Sequence, residues 1–172
     1  MDINAQIKER FGKAGKLDDK VLFLIKTALS ASIASAVRRN PYNPPAGNSL
    51  LGWKMLLIEH TRVIPDTVDG FVEDVDQLRK ELLDSYKGAS IHLSHAQKSL
   101  SVFLKYLWCL NIISIPPACP IDRKVLSSIK NCQVKNWTEL KDKEEYRSIL
   151  HSLDKLSKPK KLAQTELINW NK

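Results

Sequence analysis

Ser94-His95-Ala96-Gln97-Lys98-Ser99-Leu100-Ser101-Val102-Phe103-Leu104-Lys105-Tyr106-Leu107-Trp108-Cys109-Leu110 is the stretch that decides the fold class. Leu100, Phe103, Leu104, Leu107 and Trp108 recur at three- and four-residue intervals, which is the period of one face of an α-helix. Ser94 followed by Gln97 reads as a capping box, with Gln97 reaching back to the Ser94 amide. Upstream, Gly88 suits the end of a preceding helix. Downstream, Pro116, Pro117 and Pro120 in NIISIPPACP forbid continuation. A helix over 94–110 is therefore predicted.

The same period extends in both directions. Leu17 to Val37 carries Val21, Leu22, Leu24, Ile25, Leu29, Ile33, Ala36 and Val37, with Asp18 or Asp19 suited to its start. The segment NPYNPPAGN, 40–48, is a proline-rich loop, and Ser49 can cap a short helix to about His60. Pro65-Asp66 opens a helix with Val68, Phe71, Val72, Val75, Leu78, Leu82 and Leu83 on one face. Asp122 stands as N-cap of a short helix, Arg123 to Lys130. A helix from about Lys141 to Leu156, with Thr138 as a capping candidate, the break Lys158-Pro159 and a piece from Leu162 to Trp170 complete the chain. No strand pattern or internal repeat is seen. The prediction is an all-α, compact multi-helix domain over 1–172, with N-terminal helices over 17–86 and a hairpin-like turn and basic lobe over 87–172. Two lobes joined through the proline-rich loop are the alternative arrangement.

Composition bounds the function. The chain has 172 residues, 43% hydrophobic and 27% charged, enough for one packed core. Three cysteines, an odd number, do not make a disulfide scaffold, and reduced thiols fit a cytoplasmic protein, nucleoid-associated if bacterial. No run approaches 18 apolar residues and the opening MDINAQIKERF is too polar for a signal peptide, so no membrane span is expected. Net charge is +8 and uneven: residues 1–89 hold 13 basic and 12 acidic side chains, residues 90–172 hold 14 and 7. A basic half points to an anionic partner, nucleic acid first, with a merely solvated surface as the alternative.

Several chemistries are set aside. Cys109, Cys119 and Cys132 stand ten and thirteen apart, and no CxxC or HExxH occurs, so no metal is expected. There is no phosphate loop, no GxGxxG and no GxSxG, so no nucleotide cofactor and no hydrolase elbow are expected. What remains is a lysine and an aspartate. Lys98 falls in the first turn of the Ser94-capped helix, where the dipole disfavours a cation and should depress its pKa, freeing a neutral amine for attack on carbon. Asp122, after a stiff PPACP turn, is held ionised by backbone donors and can steady a developing cation. An exposed lysine screened by water and an ordinary N-cap are the plain alternatives.

Together these residues resemble the helix-hairpin-helix DNA glycosylase superfamily, the group of endonuclease III and the 8-oxoguanine glycosylases. The match is Gly88 in a turn, then HAQKSLSVFLKYLWC from His95 to Cys109, then CPIDRKV from Cys119 to Val125. It covers roughly residues 85–130. The resemblance implies a lysine nucleophile at the sugar's anomeric carbon, forming a Schiff base, and an aspartate that stabilises the sugar cation: Lys98 and Asp122. The turn Lys87-Gly88-Ala89-Ser90-Ile91-His92 has one glycine where the family has more, and the iron–sulfur cysteines of endonuclease III are absent.

The expected activity is thus a DNA glycosylase, with or without a lyase step, acting as a monomer on duplex DNA with a flipped base. Gly88, His95, Lys105, Arg123, Lys124, Lys158, Lys160 and Lys161 are the DNA-binding candidates. Tyr42, Trp53 and Trp108 are the aromatics available for a base pocket, with core packing as their alternative. A non-catalytic nucleic-acid-binding helical module is the second reading, and a helical protein-interaction domain the third.

Overall fold

The computed structural model describes residues 2–12, 17–37, 50–130, 132, 134, 136–140 and 142–170, with only the backbone of residues 169 and 170. Tyr42 and the proline-rich loop lie outside the described residues. Among these residues there are eight α-helices and no strand: α1 Ile3–Phe11, α2 Asp19–Val37, α3 Leu51–Glu59, α4 Val68–Ser85, α5 Leu93–Cys109, α6 Arg123–Ser127, α7 Lys143–Ser157 and α8 Leu162–Trp170. The protein is all-α, as the periodicity predicts.

Short polar side chains start most of these helices. Side-chain oxygens of Asp2, Asp18, Thr67, Asp122 and Asp142 accept from the backbone N–H groups of Asn4, Val21, Gly70, Val125 and Glu145, at 2.7–3.1 Å. Asp142, not Thr138, therefore caps α7; Thr138 lies in a single 3-10 turn, Trp137–Glu139. Helix α1 is an addition to the sequence reading, which took its polar opening only as evidence against a signal peptide. It folds because Asp2 caps it and Ile7 and Phe11 are buried on one side.

Helix α5 is the centre of the molecule. It packs on α2, α4, α3 and the 3-10 turn, and eleven of its 17 residues are buried, including Ser94, His95, Gln97, Ser99 and Ser101. A single apolar stripe was predicted; burial instead wraps most of the helix, and small polar residues fill the close approaches. Its end is a Schellman motif: Asn111 takes φ 56°, its N–H bonds to the Trp108 carbonyl and the Ile112 N–H to that of Leu107, both at 2.9 Å. The chain is thereby turned back into the Pro116–Pro120 loop.

The amphipathic α4 and α7 pack on each other, burying Phe71, Val72, Val75, Leu78 and Leu82 on one and Tyr146, Ile149, Leu150 and Leu153 on the other. By length and composition α2 could cross a bilayer, against the sequence expectation. In this fold Ile25, Ala28, Leu29, Ile33 and Ala36 of α2 are buried where it packs on α5, while Phe23 is largely exposed. One hydrophobic cluster runs from Ile7 of α1 to Leu162 of α8, so the described residues share a single core.

Candidate functional site

The site is assembled where α5 meets the Pro116–Pro120 loop. Gln97, fully buried, donates through Nε2 to the Ile121 carbonyl and accepts the Ile121 N–H at Oε1, both at 3.2 Å. This two-way amide bridge fixes the end of PPACPI against α5. Pro116, Ala118, Cys119, Pro120 and Ile121 are buried around it. The next residue is Asp122, whose Oδ1 caps α6 by accepting the Val125 N–H at 2.9 Å. Its other oxygen, Oδ2, lies 3.8 Å from Lys98 Nζ.

Lys98 is held on three sides. Its amine lies 3.5 Å from the Ile121 carbonyl, at the limit of a hydrogen bond, and 5.7 Å from the centre of the Trp137 ring, a cation–π distance. The Lys98 and Asp122 side chains are 12% and 16% exposed. Burial pushes the Lys98 pKa down, against the upward pull of Asp122, Glu166 and Cys119, and Lys105 adds to the fall. The predicted direction is therefore found, but the cause differs. Helix α5 begins at Leu93, with the His92 N–H donating to His95 Nδ1 at 3.0 Å, so Ser94 is not the cap and Lys98 lies beyond the first turn. The helix dipole fades within that turn, and desolvation is what favours the neutral amine.

Both groups open into one cleft of about 370 Å³, lined by Ser35, Lys98, Val102, Lys105, Tyr106, Cys109, Pro120, Asp122, Glu166 and Leu167. That volume lies within the usual range for small-molecule sites, roughly 300–1,000 Å³. Lys105 Nζ sits 2.7 and 2.9 Å from the two oxygens of Glu166, a residue of α8. Tyr106 is 44% exposed and is the aromatic of the cleft.

The other predicted residues scatter. Gly88 takes φ 86° in the turn between α4 and α5, a conformation that favours glycine. Arg123 and Lys124 are exposed on α6 directly after Asp122, and Lys124 borders a separate groove of about 530 Å³ with α7 and α8. Lys158, Lys160 and Lys161 are exposed around the α7–α8 link; Lys158 lies 3.6 Å from Asp154, and Lys161 borders a cavity of about 760 Å³ with Arg10 and Arg62.

Two assignments are corrected by burial. His95 is fully buried with its ring edge-on to Trp53, so it presents no surface to DNA. Trp53 is equally buried: its Nε1–H donates to Ser99 Oγ at 3.1 Å and its backbone N–H to Tyr86 Oη at 2.7 Å. It is a core residue and lines none of the cavities described. Trp108 is half-buried and does not line the cleft.

Sequence reasoning missed Gln97 as the bridge, Tyr106 as the cleft aromatic and Glu166. Tyr106 carried a signal: Lys98, Val102, Lys105, Tyr106 and Cys109 fall at i, i+4, i+7, i+8 and i+11, one helical face. Ser101, at i+3 from Lys98, is buried. Among the described residues no three His, Cys, Asp or Glu side chains gather as metal ligands would. No protein family, no curated protein and no solved structure matches the chain.

Proposed function

We propose that the chain is a DNA glycosylase in which Lys98 is the nucleophile and Asp122 its electrostatic partner. One observation carries this reading: an amine and a carboxylate, 24 positions apart in sequence, lie 3.8 Å apart on the wall of one open cleft. The neutral amine, favoured by burial, attacks C1′ of the target nucleotide while the C1′–N bond to the base breaks. Asp122 Oδ2 steadies positive charge on the sugar ring as that bond lengthens. One Lys98 proton passes to the departing base, and as the C1′–O4′ bond opens the released oxygen takes a proton from solvent, leaving a protonated imine. Helices α4 and α5 with the Gly88 turn stand in the place of the family's helix–hairpin–helix. Arg123 and Lys124, beside Asp122, are the phosphate contacts nearest the site. Tyr106 offers a stacking face for a base extruded from the duplex, a step costing a few kcal/mol.

Borohydride trapping on duplexes carrying an abasic site or a damaged base tests the covalent step. Wild type is expected to give a covalent adduct and Lys98→Ala none, a loss of at least about 100-fold. Equal trapping by Lys98→Ala removes Lys98 as nucleophile. Base release by Asp122→Asn, measured alongside, is expected to fall about 10²-fold.

A second reading, a non-catalytic nucleic-acid-binding module, is favoured by the low exposure of Lys98 and by the single glycine of the 87–92 turn. It predicts salt-dependent DNA binding that survives both substitutions, with no base released.

A further inference from the structure

Lys98 and Lys105 are seven residues apart on α5, two turns, and both line the same cleft. Glu166 reaches that cleft from α8. Its carboxylate is 5% exposed, and both its oxygens bond to Lys105 Nζ, at 2.7 and 2.9 Å. A carboxylate so far removed from water is costly to hold even when paired, and Leu162 and Ala163 already bury α8 against the core.

Building on the reading of Lys98 as nucleophile, we propose that Lys105 and Glu166 are positioning residues for Lys98, their opposed charges governing how readily its amine sheds its proton. Among the described residues, these groups face that amine. Lys105 lies on its own helix, Asp122 and the Cys119 thiol come from the proline loop and the start of α6, Glu166 comes from α8, and the Trp137 ring from the 3-10 turn. Glu166 pulls the proton on and Lys105, more weakly, drives it off, so the intact pair sets two opposed charges beside that amine. Removing either charge takes away its own pull or push on the Lys98 amine. The two substitutions must then move Lys98 in opposite directions, which a merely structural tether would not do.

The test needs no DNA. The full chain is reductively methylated with ¹³C-formaldehyde, and the Lys98 dimethylamino resonance, assigned by its absence in Lys98→Arg, is titrated by NMR. Glu166→Gln is expected to move the midpoint to lower pH and Lys105→Gln to higher pH. Each shift should change the free-amine fraction at a fixed pH below the midpoint by about threefold. The double variant is expected to return toward wild type. Shifts in the same direction, or none, overturn the proposal. Should Glu166→Gln lose its helical circular dichroism, Lys105→Gln alone decides: an upward move supports the role and an unmoved midpoint overturns it. Opposite shifts together with failed borohydride trapping would overturn the glycosylase reading alone. Unmoved midpoints with successful trapping would overturn the electrostatic role alone.

Discussion

At the end of α3 the ring of His60 lies between two carboxylates of α4, with Nδ1 2.6 Å from Asp74 Oδ1 and Nε2 3.0 Å from Glu81 Oε2. On α5 the amine of Lys98 lies 3.8 Å from one carboxylate and 3.5 Å from a carbonyl. Burial is the largest single influence on both cations and pushes both toward the neutral form. At His60 the hydrogen bonds and charges of Asp74 and Glu81 together reverse it, and the pKa rises. At Lys98 the partners stand just beyond hydrogen-bond range or at its edge, burial prevails, and the pKa falls. About an ångström of separation thus divides a cation held by its carboxylates from an amine that burial shifts toward the neutral form.

The largest effect on stability is expected at His60. His60→Ala leaves two partly buried carboxylates facing each other, and Asp74 Oδ2 already lacks a hydrogen-bond partner. The loss should be about 2–3 kcal/mol in urea denaturation at pH 6, discounted from the cost of breaking a fully buried pair because Glu81 is partly exposed. A loss of only a few tenths would make this an ordinary surface pair and erase the contrast with Lys98. The pH dependence sharpens it. Since the folded His60 pKa is raised, its contribution is complete below the ordinary histidine value, about 6.5, and disappears as pH rises through the folded value. The difference between wild type and His60→Asn should therefore shrink on the alkaline side.

A smaller effect of opposite sign is expected at Lys98. Its folded pKa is lowered, so the unfolded chain binds that proton more tightly, and stability should climb with pH between the folded value and the ordinary lysine value of 10.5. Lys98→Met fills the same space without the charge. It should remove that climb and raise stability at pH 7 by about 1 kcal/mol while abolishing adduct formation, the trade of stability for function common at active sites. Destabilisation instead would show that Lys98 is held as His60 is.

The same separation between local and distant signals marks what the sequence made legible. The helices α4, α5 and α7 follow from 3.6-residue periodicity, and Asp122 as a cap follows from its place after a proline turn, because both signals are local. The approach of Lys98 to Asp122 was legible only through resemblance, since the Gln97 bridge that enforces it acts across 24 residues. Glu166 gave no local signal at all: a glutamate in a short terminal helix looks like any solvated residue until α8 docks. His95 and Trp53 were misplaced for a related reason. Each has polar atoms that partners within the fold satisfy, His95 Nδ1 by the His92 N–H and Trp53 Nε1–H by Ser99, and composition cannot reveal such partners in advance.

The smallest stability effect is expected at Asp122. Its Oδ1 caps α6, and an asparagine oxygen performs that task about as well, so Asp122→Asn should shift stability by only a few tenths of a kcal/mol, whereas Asp122→Ala should cost about 1 kcal/mol. The two substitutions separate the cap from the charge. If the charge at 3.8 Å matters only to a cation developing on the substrate, chemical denaturation will be nearly blind to Asp122→Asn. If Asp122→Asn costs as much as Asp122→Ala, the carboxylate is holding Lys98 in the folded ground state. The pair would then belong with His60, Asp74 and Glu81 as part of the scaffold, and the cleft would lose its claim to chemistry.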